Sequence, residues 1–184
     1  MNKEIIGRLI LDRVLKIKHT TGLNNDLPKQ LQKNSFFFKE ESENILLGEN
    51  QNNKSNQYNR TVIAKESDIY EGFEVVLIDW NHMNKHCDIH GHPQLMYYQV
   101  LSGTYVMNLY RVEEENKVSF ERSFVLKEGD IYTSLSDDKG YSNAVHSMQC
   151  IRPGKTLNIY SGDGMKGKRF CMKKPYPLKL EKYK

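Results

Sequence analysis

His90 and His92 stand on either side of Gly91, and His146 follows well downstream. Along an extended backbone successive side chains alternate between faces, so residues two apart look the same way. His90 and His92 are therefore expected to present their imidazoles together, and Gly91 leaves room for backbone or ligand to come close. Two neutral imidazoles make a chelating pair, and imidazole suits iron, zinc, copper and nickel. A lone His-x-His is common by chance, and a surface histidine needs no metal. Context favours metal here. The pair leads into Leu95–Leu101, which ends at Ser102-Gly103 with a second apolar run directly behind it, so the spacing predicts a hairpin opened by the two histidines. His146 lies in a later strand-like run, from Asn143 to Cys150. The expectation is one metal ion held by His90, His92 and His146. Cys87 is close in sequence but is placed by alternation on the opposite strand face, as a small buried apolar residue rather than a ligand. His82 and His86 are expected at the rim, and His19 at a helix end carries no assigned chemistry.

These side chains must be held by the elements around them. Ile5, Ile6, Leu9, Ile10, Val14 and Ile17 recur at helical spacing and predict an amphipathic helix over 3–18, stopped at Thr20-Thr-Gly22. Asp26 and Pro28 suit the start of a second, short helix. Phe36-Phe-Phe38 reads as a buried anchor or a partner contact, with the core preferred. Residues 48–59 are Asn, Gln, Lys and Ser with almost nothing apolar, which predicts a polar loop. After it the text becomes rich in Val, Ile, Tyr, Phe and Thr. Strands are expected over 61–64, 70–80, 87–90, 95–101, 104–112, 117–126, 130–134, 144–151 and 156–161. Turns lie at Ser102-Gly103, Glu128-Gly129-Asp130, Asp138–Gly140 and Pro153-Gly154. Many short strands at regular spacing predict a mostly β sandwich or barrel with helices at its N-terminal end.

The chain has 184 residues, enough for one domain with a real core. Its expected parts are a helical cap over 1–47, the loop over 48–59, a barrel over 60–172 and a basic tail over 173–184. No apolar run approaches the roughly 20 residues needed to span a bilayer. Glu4, Arg8 and Asp12 interrupt the N-terminal pattern, so it does not read as a signal peptide. Three cysteines, Cys87, Cys150 and Cys171, are odd in number and far apart, which predicts no disulfide framework and a reducing cytoplasm as the compartment. The net charge is +4, yet residues 166–184 hold eight Lys or Arg against one Glu. Their lysines are mixed with Pro175, Pro177, Leu178 and Leu180, and no nucleic-acid motif accompanies them, so a solvated terminal segment is expected. The expected state is a monomer with no membrane or nucleic-acid partner.

With the barrel and the three histidines in hand, the chain resembles the cupin superfamily, and within it the cysteine dioxygenase group of thiol dioxygenases. Four pieces carry the likeness in the family's order. Tyr58-Asn-Arg60-Thr-Val resembles the segment that receives a substrate carboxylate. Leu77-Ile-Asp-Trp80, Ile89-His-Gly-His92 and Val100-Leu-Ser-Gly103 resemble the strand and metal-binding hairpin. His146 stands where the last metal ligand belongs. Thr156-Leu-Asn-Ile-Tyr160-Ser-Gly resembles the strand that brings a tyrosine over the metal. The resemblance covers about residues 56–165 and implies a cupin-type double-stranded β-helix, a jelly-roll barrel with N-terminal helices. Two departures matter. Thr156 and Asn158 stand where the family usually has Ser and His, and Asn cannot take a proton at neutral pH. The hairpin offers Met96 and Tyr97, so the cysteine that cross-links to the tyrosine in animal members has no counterpart there.

The resemblance implies Fe(II), or another divalent transition metal, on His90, His92 and His146, with cysteine or a related small thiol carboxylate oxidised to its sulfinate by O2. Pro93-Gln-Leu-Met-Tyr-Tyr98 brings no acid to the site, so a thiolate substrate would supply the negative charge that the protein omits. Arg60 would pair with the substrate carboxylate. Tyr160 would hydrogen-bond oxygen or the substrate head group, and Tyr58 is a further candidate for the pocket. Two other readings stay open: a metal-binding cupin of another enzyme class, and a non-catalytic cupin that binds a small ligand or partner.

Overall fold

The computed structural model describes residues 2–22, 26–43, 45, 58–66, 72–92, 95–135, 144–162, 164 and 167–173. The polar loop up to residue 57, the turn over 138–140 and the basic tail from residue 174 lie outside them.

Helix α1 (Lys3–Thr21) begins at Asn2, whose side-chain oxygen accepts from the Glu4 N–H at 2.9 Å. It runs on to Thr21 instead of stopping before Thr20, because the hydroxyls of Thr20 and Thr21 donate back to the Ile17 carbonyl at 2.8 and 2.9 Å. Its stripe of Ile6, Ile10, Leu11, Val14 and Ile17 is buried. Helices α2 (Asp26–Lys33) and α3 (Ser35–Glu43) follow. The aromatic triplet lies on α3, where consecutive side chains point about 100° apart. Only Phe38 can reach the core fully; Phe37 is half-buried and Phe36 is 76% exposed. The expected buried anchor is thus one phenylalanine and part of a second.

The strands are β1 (Asn59–Lys65), β2 (Phe73–Trp80), β3 (His90–Gly91), β4 (Leu95–Val100), β5 (Thr104–Glu114), β6 (Lys117–Lys127), β7 (Ile131–Leu135), β8 (Val145–Arg152), β9 (Gly154–Ser161), β10 (Lys168–Arg169) and β11 (Cys171–Met172). They form two sheets, in the orders β1-β2-β9-β4-β7 and β10-β3-β8-β5-β6-β11. All pairings are antiparallel except β11 with β6. This is the mostly β jelly-roll barrel with N-terminal helices expected above.

The central strands of the first sheet, β2, β4 and β9, are buried on both faces. Phe73, Val75 and Leu77 of β2, Leu95 and Tyr97 of β4, and Leu157 and Ile159 of β9 pack against the helices. The alternate residues, Val76, Ile78, Trp80, Met96, Tyr98, Val100 and Tyr160, meet Tyr105, Met107, Leu109, Met148 and Cys150 of the second sheet inside the barrel. Each such apolar side chain contributes about 1.5–3 kcal/mol when fully buried.

Two expectations about pairing fail. Leu95–Val100 and Thr104–Glu114 do not form a hairpin: β4 pairs with β7 and β9, while β5 pairs with β6 and β8. The turn at Ser102-Gly103 carries the chain from one sheet to the other, with Gly103 at φ 94°. The histidine pair does not open that hairpin either, since β3 pairs with β8 and β10. Regular strand is also absent from residues 87–89.

Helix α1 lies so close to β1 that a Cβ on Gly7 would run into the Ile63 carbonyl oxygen. Backbone cannot rotate aside as a side-chain tip can. Gly7→Ala is therefore expected to lower stability by about 1–3 kcal/mol through overpacking, read as a fall in the urea midpoint with an unchanged slope.

Candidate metal centre

The three histidines meet at β3 and β8 of the second sheet. His90 on β3 is the direct cross-strand partner of His146 on β8. Opposed residues on neighbouring antiparallel strands hold their side chains close, and these two rings lie 4.4 Å apart between centroids. His92 follows β3 and brings its ring to 4.9 Å from His90 and 5.6 Å from His146. One ring nitrogen from each of the three lies within 4.8 Å of the others. Among the described residues no carboxylate or thiol joins this cluster.

The protonation of the rings suits a cation. His90 Nδ1 donates to the Asp88 carbonyl at 2.7 Å, and His146 Nδ1 donates to the Ala144 carbonyl at 2.9 Å. A carbonyl can only accept, so the proton of each neutral ring sits on Nδ1 and the lone pair on Nε2 is left for a metal. Burial pushes His146 down to about 3, helped by His90. Burial lowers His90 as well. His92 is held well below the ordinary range by burial, then by His146, His90 and Arg60. Three imidazoles that stay uncharged at neutral pH are the donor set that a divalent transition metal requires.

The other expected site residues fall around this cluster. Tyr160 comes from the opposite sheet and lays its ring 4.5 Å from His92. Its phenol is pushed up by burial, so it remains an O–H donor. Tyr58 packs on Trp80 at 4.7 Å and, with Cys87, Gly164 and Gly167, lines a pocket of about 140 Å³ that reaches His90. Arg60 is not presented alone: its Nη2 is paired with Glu74, whose Oε2 also accepts the Gly164 N–H at 3.1 Å. Asn158 donates to the Thr156 hydroxyl at 3.2 Å, within its own strand.

Cys87 departs from its expected face. It lines the same pocket as His90, because residues 87–89 are not strand and alternation does not apply to them. Its thiol accepts the Met148 N–H at 3.1 Å and is pushed up to about 12 by burial. It is a buried small side chain, as expected, and stands outside the ligand cluster. His82 and His86 are exposed, in keeping with a rim position.

Three participants escaped the sequence reading. Glu74 is a lone acid in the apolar run Phe73–Ile78, and that oddity was a usable signal. Gly164 and Gly167 carried none. A Cβ on Gly164 would stand 2.6 Å from the Tyr160 ring, and one on Gly167 would stand 3.1 Å from the Gly91 carbonyl oxygen. Only glycine lets this backbone lie so close over the tyrosine and the histidines.

No protein-family model matches the sequence. No curated protein matches it either. Among solved structures the chain is similar to a cupin superfamily protein from Desulfitobacterium hafniense, with 14% identity, 59% of this chain and 81% of that chain covered, and a TM-score of 0.44. It is also similar to KdgF from a Halomonas species, with 13% identity, coverage of 65% and 93%, and a TM-score of 0.46. A third is an uncharacterized double-stranded β-helix protein from Klebsiella pneumoniae, with 17% identity, coverage of 64% and 87%, and a TM-score of 0.45. At these identities the likeness concerns the barrel and not its chemistry.

The three buried histidines of this barrel set a pH dependence. Below the ordinary histidine value of 6.5 the unfolded chain takes up protons that folded His90, His92 and His146 refuse. The unfolded state then binds more protons, so stability falls as pH falls. The melting temperature of the metal-free protein is expected to drop between about pH 7 and about pH 5, and His146→Gln should flatten that slope. Metal affinity of the folded protein, followed by competition with a chromophoric chelator, should change little over the same interval, because the folded imidazoles are already neutral there.

Proposed function

We propose that this chain is a non-heme iron dioxygenase that oxidises a small thiol to its sulfinate with O2. The observation that carries the reading is the donor set itself: three neutral imidazoles with no acidic ligand among the described residues. Such a centre favours a substrate that brings its own negative charge, and a thiolate is the soft donor that suits iron. Bound there, Fe(II) supplies coordination for the thiolate and O2, and both oxygen atoms end on sulfur, so no further reductant enters.

The chain's own residues perform the rest. His90 and His146 are aimed by the carbonyls of Asp88 and Ala144. Tyr160, kept protonated by burial, offers an O–H to the ligand beside His92. Tyr58, packed on Trp80, gives the pocket an apolar side next to Cys87, and Asp88 and Arg169 give it a charged one. Asn158 is tied to Thr156, which orients a strand and moves no proton.

A second reading, a metal-dependent cupin of another reaction class, is favoured by one observation: Arg60 meets a protein carboxylate.

Oxygen uptake by the iron-loaded protein with a panel of small thiols tests the proposal. Uptake matched by sulfinate formation is expected, and none with any thiol would sink it. His92→Ala should lose both iron and uptake. Tyr160→Phe should keep the iron and lose about a hundredfold in turnover, the scale of one donor aimed at developing charge. A purified protein that retains no transition metal would instead favour a binding module.

A further inference from the structure

Two charged residues, Asp88 and Arg169, line the pocket that reaches His90. Strand register puts the arginine there. Arg169 of β10 is the direct cross-strand partner of His90, which on its other side faces His146 of β8. Opposed residues on antiparallel strands carry their side chains on one face. Arg169, His90 and His146 therefore stand in one row, exposed at the arginine, half-buried at His90 and buried at His146. The charge of Arg169 is felt by both His90 and Tyr58 on the pocket walls.

No partner holds this guanidinium tightly. Asp88 Oδ2 stands 3.9 Å from Arg169 Nη1, beyond hydrogen-bond reach, and the side chains of Arg169 and Asp88 are 84% and 64% exposed. An exposed pair of this kind contributes little and yields readily to a better partner. Arg60, the arginine expected to meet a substrate carboxylate, is placed otherwise. It is paired with the buried Glu74, and neither of the two lines the pocket. A guanidinium receives a carboxylate through two parallel hydrogen bonds, whereas an ammonium group brought to Arg169 would meet a like charge. We infer that Arg169 receives the carboxylate of a small thiol carboxylate whose sulfur lies at the histidines, which makes it the specificity-determining residue of this pocket. This rests on the thiol-binding metal centre proposed above and names the second group of the substrate and the side chain that recognises it.

The test uses the full chain loaded with cobalt(II), whose thiolate absorption band reports binding without turnover. The unmodified protein and Arg169→Gln are each titrated at low ionic strength with 3-mercaptopropionate and, separately, with the uncharged 2-mercaptoethanol. Each thiol is compared with itself on the two proteins, so any contact between its second group and the metal cancels. Arg169→Gln should weaken 3-mercaptopropionate about fivefold, the upper range for one exposed ion pair, and leave 2-mercaptoethanol unchanged. The difference should shrink as salt is added, because the arginine is exposed. For the same reason the variant is expected to fold, and its 2-mercaptoethanol titration verifies that. An equal change in both thiols, or no change in either, overturns the inference and leaves the thiol reading intact. The absence of the band with both thiols on the unmodified protein overturns the thiol reading itself, and this inference with it.

Discussion

A sheet whose central strands are buried on both faces carries the rest of this molecule. Strands β2, β4 and β9 each send alternate side chains into two different cores, one under the helices and one inside the barrel. Phe73, Val75 and Leu77 would face water without α1–α3, and the sheet would lose the anchorage that keeps its inner face flat against the second sheet. Gln99 ties the layers together through polar bonds, accepting from the Tyr97 hydroxyl and donating to the Ser35 carbonyl at the start of α3, each at 3.0 Å. Because the outer face is occupied by apolar contact, the inner face can hold Glu74, Thr156, Asn158 and Tyr160 in fixed positions. The helical cap is therefore a condition for the site, although it contributes no side chain to it.

The site is built by keeping charge out of a poorly solvated space. Its three histidines are neutral by burial, its tyrosines are held as phenols by burial, and the partly buried Arg60 is matched by the buried Glu74. Breaking one side of such a pair costs about 3–5 kcal/mol because the other charge is stranded. A divalent ion held by the three imidazoles would be the largest uncompensated charge among them.

Much of this was legible before any coordinates. The spacing of Ile6, Ile10, Val14 and Ile17 reports a helix because one face must be apolar. The alternation in Phe73–Trp80 reports a strand because side chains alternate. His90 and His92 report a chelate because glycine separates them. What was misread shares one cause. The Ser102-Gly103 turn reads as a hairpin in the sequence because a tight turn between two apolar runs is local information, whereas the sheet each run joins is not. Cys87 was assigned a face by an alternation that does not hold outside regular strand. Phe36 was placed in the core by composition, while helical geometry turns it outward.

The order of residues alone determined the types of element, the apolar stripe of α1, the strand-rich barrel and the presence of imidazoles able to hold a metal, since each follows from periodicity or side-chain chemistry within a short window. Only the tertiary structure decided that His90 faces His146, that Tyr160 reaches His92 from the other sheet, and that Arg60 meets Glu74. Those partners are far apart in the chain, and they are chosen by strand register and sheet stacking, which depend on how the whole apolar surface is buried at once.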